Sequence, residues 1–450
     1  MSSASETPPR GLWAMARFMA VQTPAERNRY VDFLRALSIC AVVIGHWLVA
    51  APHVVDGQIV GDHLLGLVPW SQWLTWGFQV MPLFFLVGGY SNGISWSATL
   101  GRGGTYAEWL VGRIQRLINP VIPLFLLWIG FAGFGHGLGV SVSTVKLVSQ
   151  LALVPVWFLA VYLLVVALVP LTWQAWQRYG MGSFWALFGG AVAVDLAVFA
   201  TPGVDLEWVS YLNFAFVWLG VHQLGYAWYA GCFASKLKTV SWFVLGLLAL
   251  IGLVRYGPYP IAMIGVPGQP VSNSMPPTMA LFALGMAQTG LVLTLEPLGR
   301  RWLANVRAWT AVILLNGMIM TVYLWHLTAY IAVTAVAYGI GVGLEVYPGS
   351  SEWWAWRPLW MLLYVAMLLP FVAIFARFER EGMPIPSSLS RWRLIAAVLC
   401  VCVGLALTAA GGVGSESWTG VRLWVVTLPL IGAGLVDFGP LARQLGSRKA

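Results

Sequence analysis

Charge is scarce in this chain. Asp, Glu, Lys and Arg supply 9% of its 450 residues against 59% apolar side chains, too little polar surface to coat a water-soluble globule of that size. Cysteine is scarce too: Cys40, Cys232, Cys400 and Cys402 are the full set. All lie in or at the ends of apolar runs, a placement that argues against a disulfide framework and for reduced core thiols. The opening "MSSASETPPRGLWAMARFMAVQTPAERNRY" lacks an apolar core followed by a small-residue cleavage site, so no signal peptide is expected. The alternation of a membrane β-barrel is missing, which leaves helices to satisfy the backbone. His53, His63 and His136 lack carboxylate or thiolate company at ligand spacing, so no metal site is expected.

What remains is apolar sequence in runs near or beyond about 18 residues, the length a helix needs to cross a hydrocarbon core of roughly 30 Å. The expected fold is all-α: a polytopic membrane helix bundle of about twelve spans, at 31–52, 70–96, 117–139, 151–172, 183–201, 208–230, 237–255, 276–295, 311–339, 358–377, 394–412 and 421–438. With the N-terminus cytoplasmic, the even span count places the C-terminus there as well. Cationic residues then concentrate on the cytoplasmic side (Arg10, Arg17, Arg27, Arg29, Arg102, Arg113, Arg116, Arg178, Lys236, Lys238, Arg300, Arg301, Arg443, Arg448 and Lys449 among them), while Lys146, Arg255, Arg357 and Arg422 face the other. The net charge of +9 is thus mainly an orientation signal, and no nucleic-acid partner is expected. Two long outward loops, "PHVVDGQIVGDHLLGLVPWSQ" and "YGPYPIAMIGVPGQPVSNSMPP", are either substrate entrances or plain linkers.

The first span, in "RNRYVDFLRALSICAVVIGHW", carries Asp32, Arg35 and His46 inside otherwise hydrocarbon-facing sequence. Eleven steps separate Arg35 from His46, about 1100° of helix, so both lie on one face with a rise of roughly 16 Å between them. Asp32 stands three positions before Arg35, where a carboxylate–guanidinium pair forms on a helix. Ionisable residues at such depth usually face a protein interior, a cavity or a substrate path. The alternative is a snorkelling arginine and a histidine satisfied by a neighbouring helix.

The string "DFLRALSICAVVIGH" resembles the opening helix of the acyltransferase-3 family of membrane acyltransferases, with its Arg, ten residues, then His. In the same order, "MPLFFLVGGY" is similar to the family's Phe-rich second helix, with Val87 where Ser is common. "RIQRLINPVIPL" matches its Arg-x-x-Arg segment at Arg113 and Arg116, "VPVWFLAVYLL" its Trp-Phe-Leu helix, and "TVYLWH" its late Tyr-Leu-x-His signature at Tyr323 and His326. The likeness runs over roughly residues 30–375. The chain then divides into a cytoplasmic segment 1–30, a membrane acyltransferase domain 31–380, and two added C-terminal spans with a cytoplasmic tail over 381–450.

The resemblance implies an O-acyltransferase of the plasma membrane, moving an acyl group, acetyl as the first expectation, from cytoplasmic acyl-coenzyme A to a hydroxyl of a carbohydrate or lipid-linked cell-envelope acceptor. Acyl-coenzyme A would be a donor substrate, with no tightly bound cofactor and with membrane lipids as surroundings. Arg113 and Arg116, with Arg35 extending them, suit the polyanionic nucleotide end, although positive-inside anchoring also accounts for the pair. His46 suits the role of general base, by direct transfer or through an acyl-histidine. Glu108 is expected as a solvated carboxylate or an arginine's partner, Asp195 as a buried hydrogen bonder or cavity residue, His222 as a helix–helix bonder and Trp157 as a packing or interface aromatic. His326 with Tyr323 is read as a structural polar pair or a catalytic participant. A competing class is a secondary transporter or flippase of an envelope precursor, with Arg35, His46 and Asp195 along its path; no repeated halves are evident to favour it.

Overall fold

The computed structural model describes residues 11–201, 204–380 and 389–436. Arg10, Arg443, Arg448 and Lys449 lie outside the described residues, as does the end of the last expected span. Helix is the dominant regular structure of the described chain, whose one sheet is a two-stranded hairpin. Its elements run α1 Leu12–Val21, α2 Arg29–Val49, β1 Ala50–Val55, β2 Gln58–His63, α3 Leu64–Leu67, a 3-10 turn Pro69–Leu74, α4 Thr75–Phe78 and α5 Met81–Gly101. Next come α6 Tyr106–Ile118, α7 Val121–Gly137, α8 Val142–Leu153, α9 Val156–Ala167, α10 Val169–Tyr179, α11 Met181–Phe199, α12 Glu207–Ser210 and α13 Asn213–Tyr229. The last are α14 Lys236–Tyr256, α15 Met279–Leu303, α16 Val306–Asn316, α17 Ile319–Ile340, α18 Ser351–Phe375, α19 Arg377–Arg380, α20 Arg391–Gly411 and α21 Leu423–Leu435.

This is an all-α polytopic membrane protein, but not twelve uniform spans. Among the described residues, seven helices are long and apolar enough to cross a membrane, and two bent pairs raise the number to nine if each is one span. The pairs are α6–α7, bent by 42°, and α8–α9, bent by 48°. Each bend falls at a proline, Pro120 or Pro155, where a helical N–H is missing and the ring crowds the preceding turn. The other three expected segments correspond to α5, diluted by its polar stretch "YSNGISWS", and to α13 and α21, which have 17 and 13 residues. Residues 70–78, assigned from sequence to the second span, instead belong to a 3-10 turn and a single helical turn.

Helix α2 starts at Asn28, whose side chain accepts the Tyr30 N–H, with Asp32 in the first turn complementing the helix dipole. Its other end is held by Arg357 of α18, whose Nη2 donates to the carbonyls of Trp47 and Ala50 at 2.8 and 2.6 Å. The chain then turns back as the β1–β2 hairpin, pairing Ala50 with His63. The tip is Asp56-Gly57, both at positive φ, the dipeptide that tight hairpin turns select.

Glycine sets the closest helix crossings. A Cβ on Gly89 of α5 would stand 2.0 Å from the His222 carbonyl oxygen, and one on Gly225 of α13 would stand 2.2 Å from the Leu86 oxygen. Gly290 brings α15 equally close to Phe243 of α14. Helices α20 and α21 pack together at Gly404 and Pro429, and α20 lies along α8 and α9, where Cys402 Sγ meets the Ala160 carbonyl at 3.4 Å.

Candidate functional site

Two polar groups face each other along α2. At its start, Asp32 accepts from Arg27 Nε at 2.7 Å and from Arg35 Nη1 at 3.2 Å. Arg35 Nη2 also reaches Ser91 Oγ of α5 at 3.2 Å. One turn further along α5, Ser95 Oγ accepts from both Arg113 and Trp109 Nε1, the Arg113 guanidinium lying 5.4 Å from the Trp109 ring centre. Because Ser91 and Ser95 are four residues apart, they sit on one face of α5 about 6 Å apart along its axis. This serine pair gathers Arg35 and Arg113 from two other helices into one cationic floor. Arg113 is half-buried, while Arg116 on the same helix is exposed. Neither has a carboxylate partner among the described residues.

Three helical turns along α2 stands His46. Its Nδ1 is 2.8 Å from Nε2 of His326 on α17, with the rings 22° from parallel. Behind it, His326 Nδ1 is 2.6 Å from the Tyr323 carbonyl oxygen. A carbonyl only accepts, so the His326 proton belongs on Nδ1. With both rings neutral, His326 Nε2 must then accept, His46 Nδ1 must donate, and the remaining lone pair lies on His46 Nε2. His326 is wholly buried, whereas His46 keeps part of its surface accessible. The less buried of the two rings is thus the one whose outer nitrogen keeps its lone pair.

Several bonds hold that geometry. Trp47 Nε1 donates to the His326 carbonyl at 3.0 Å, fixing α2 against α17 beside the pair. Tyr323 Oη donates to the Pro155 carbonyl at 2.8 Å, tying α17 to the α8–α9 bend. The Glu379 carboxylate accepts from the Met320 and Thr321 amides at the start of α17. Phe85, Phe158 and Tyr162 pack as an aromatic cluster that meets Tyr323 through Phe158, so three of the sequence motifs converge around this region.

Other expected residues fall elsewhere. Glu108 forms a capping box with Thr105 at the start of α6 and reaches no arginine there. Asp195 is buried, and accepts from Asn213 Nδ2 at 2.7 Å, Tyr259 Oη at 2.8 Å and the Met279 amide at 2.8 Å. It ties α11, α13 and α15 to the segment after α14 and is not bonded to His46. Trp157 is half-buried against the core. His222 Nε2 lies 3.1 Å from Asn92 Nδ2, joining α13 to α5. Sequence reading did not find Ser91 and Ser95, whose signals are their i, i+4 spacing and, for Ser91, a Gly-x-Ser-x-Gly string from Gly89 to Gly93 that lies inside α5 rather than on a strand-to-helix turn, nor Arg357, which resembled an ordinary boundary cation.

The site thus sets a cationic cluster at one end of α2 and an imidazole pair about 16 Å along it. A family model described as an acyltransferase domain matches residues 28–377, and the chain belongs to this acyltransferase-3 family. Membership makes it a membrane acyltransferase. No curated protein and no solved structure matches it. The match runs from the cap of α2 into α19, leaving α1, α20 and α21 outside.

Proposed function

We propose that the protein transfers an acyl group, acetyl in the first instance, from acyl-coenzyme A to a hydroxyl of a carbohydrate or lipid-linked envelope acceptor, with His46 as general base. The observation that carries this reading is the hydrogen-bond chain from the Tyr323 carbonyl through His326 to His46, which leaves the His46 Nε2 lone pair free. As the acceptor oxygen attacks the thioester carbonyl carbon, its proton passes to His46 Nε2. The carbon–sulfur bond then breaks, and the coenzyme A thiolate takes that proton back from the imidazolium. His326 holds the ring through His46 Nδ1 and shares the charge it acquires. Arg113 and Arg35 receive donor phosphates, where guanidinium forks make charge-assisted hydrogen bonds. Asp32 keeps Arg35 extended toward α5. The roughly 16 Å between floor and base matches the reach of a pantetheine arm. In this reading the floor is on the cytoplasmic side of the plasma membrane, as are both termini.

The test is to incubate purified protein with radiolabelled acetyl-coenzyme A and envelope extract and to locate the labelled product. His46→Ala is expected to lose about 10²–10⁴-fold in turnover with donor binding retained. His326→Phe, which removes the acceptor behind Nδ1, is expected to lose at least about tenfold through the same step. Near-wild-type turnover by a well-folded His46→Ala protein would return this histidine to a structural role.

A further inference from the structure

His63 was unremarkable in sequence, and the hairpin changes that. The β1–β2 register sets His63 opposite Ala50. The Ala50 amide bonds the His46 carbonyl one helical turn back, so His63 is set on the strand paired with the residue that ends α2 just beyond His46. The two imidazoles are close enough to influence each other electrostatically. His63 Nδ1 is buried and has no hydrogen-bond partner. Its neighbour Asp62 turns to His53, 3.7 Å away, as alternation along a strand requires.

The backbone around His63 is firmly held. Leu64 and Leu65 are buried, Gln72 Nε2 donates to the Leu65 carbonyl at 3.0 Å, and Val54 N–H donates to the Leu344 carbonyl at 2.7 Å. An unpaired nitrogen on so fixed an element is a standing cost that a bound partner removes. Burial shifts the His63 imidazole toward its neutral form, which disfavours a charged ligand there. A neutral imidazole nitrogen is either donor or acceptor according to tautomer, and a hydroxyl satisfies both.

We propose that His63 is an acceptor-binding residue whose Nδ1 hydrogen-bonds a hydroxyl of the polyol acceptor, next to the hydroxyl that is acylated. This assignment rests on the reading of His46 as general base. It selects polyhydroxylated acceptors over simple alcohols, because one hydroxyl goes to His46 and a second to His63.

The experiment compares wild type, His63→Leu and His63→Asn in proteoliposomes. It follows radiolabelled acetyl transfer from acetyl-coenzyme A to envelope glycan extract, titrated by hexose content, and measures acetyl-coenzyme A affinity separately. His63→Leu is expected to raise the half-saturating acceptor concentration about tenfold, by more than it lowers the saturating rate, with donor affinity unchanged. His63→Asn, which keeps a polar group near the Nδ1 position, is expected to restore most of that loss. Unchanged half-saturation in a folded His63→Leu protein, or equal losses in both variants, overturns the proposal. Should the leucine variant fail to fold, wild-type protein is treated with diethylpyrocarbonate and His63 modification is followed by mass spectrometry. Protection by the extract supports the assignment, and modification at the same rate with and without it overturns it. An active His46→Ala protein in the same assay refutes the general-base reading, whereas a neutral His63 beside an essential His46 refutes this assignment alone.

Discussion

At the residue scale, the two arginines of the Arg-x-x-Arg motif are not equivalent. Arg113 turns inward to Ser95 beside Trp109, and Arg116 is exposed. A phosphate-facing guanidinium contributes charge-assisted bonds of roughly 1.5–3 kcal/mol. Arg113→Ala is therefore expected to weaken acyl-coenzyme A binding about tenfold to hundredfold, measured by equilibrium titration of purified protein. Arg116→Ala is expected to cost less, because its charge is screened by solvent. Equal and negligible effects at both positions would leave them as orientation signals. Arg35 and His46 were legible as a pair from helical periodicity alone. The role of Ser91 was not, because an exposed-looking serine in a span carries no label until the residue opposite it is known.

At the element scale, the site depends on helices crossing closely enough for short polar side chains to meet. Helices α5 and α13 cross where Gly89 and Gly225 face each other's backbone, and this contact seats the helix carrying Ser91 and Ser95. Gly225→Ala places a methyl group against the Leu86 carbonyl and the Tyr90 amide, neither of which is a flexible side-chain end. A loss of roughly 1–3 kcal/mol is expected, read as a lower midpoint of thermal unfolding in detergent. Gly130→Ala on α7, where an added Cβ meets nothing within 4 Å, is the control and is expected to unfold like wild type. Elements also account for what the apolar pattern misjudged. Pro120 and Pro155 bend the chain near the starts of the spans expected at 117–139 and 151–172, and the Asp-Gly turn made a hairpin of a stretch read as loop, although that dipeptide is itself a hairpin signal.

At the scale of the whole molecule, the Arg and Lys asymmetry predicts orientation. Reporter fusions after Lys238 and after Arg301 are expected to report the cytoplasmic side, and a fusion within 256–274 the opposite side. A reversed result at either kind of position would overturn the topology. The segments outside the family match are not appendages loosely joined to it: α20 lies along α8 and α9, the bent pair to which Tyr323 is tied. The last helices thus buttress the wall behind the histidine pair.

Sequence by itself determined that the chain is helical and membrane-embedded, that it resembles the acyltransferase-3 family, and that Arg35 and His46 share a face. Each of these follows from composition, from short ordered motifs or from a helical period that acts within a few turns. Only the tertiary structure decided which partner each polar group meets. His326 lies 280 positions from His46, and no local rule sets that register. The same holds for the Ser91–Ser95 floor, for Glu108 as a helix cap rather than an arginine's partner, and for His63 opposite Ala50. The physical reason is that apolar periodicity says which face of a helix is buried, whereas close backbone crossings and proline bends decide what lies against that face.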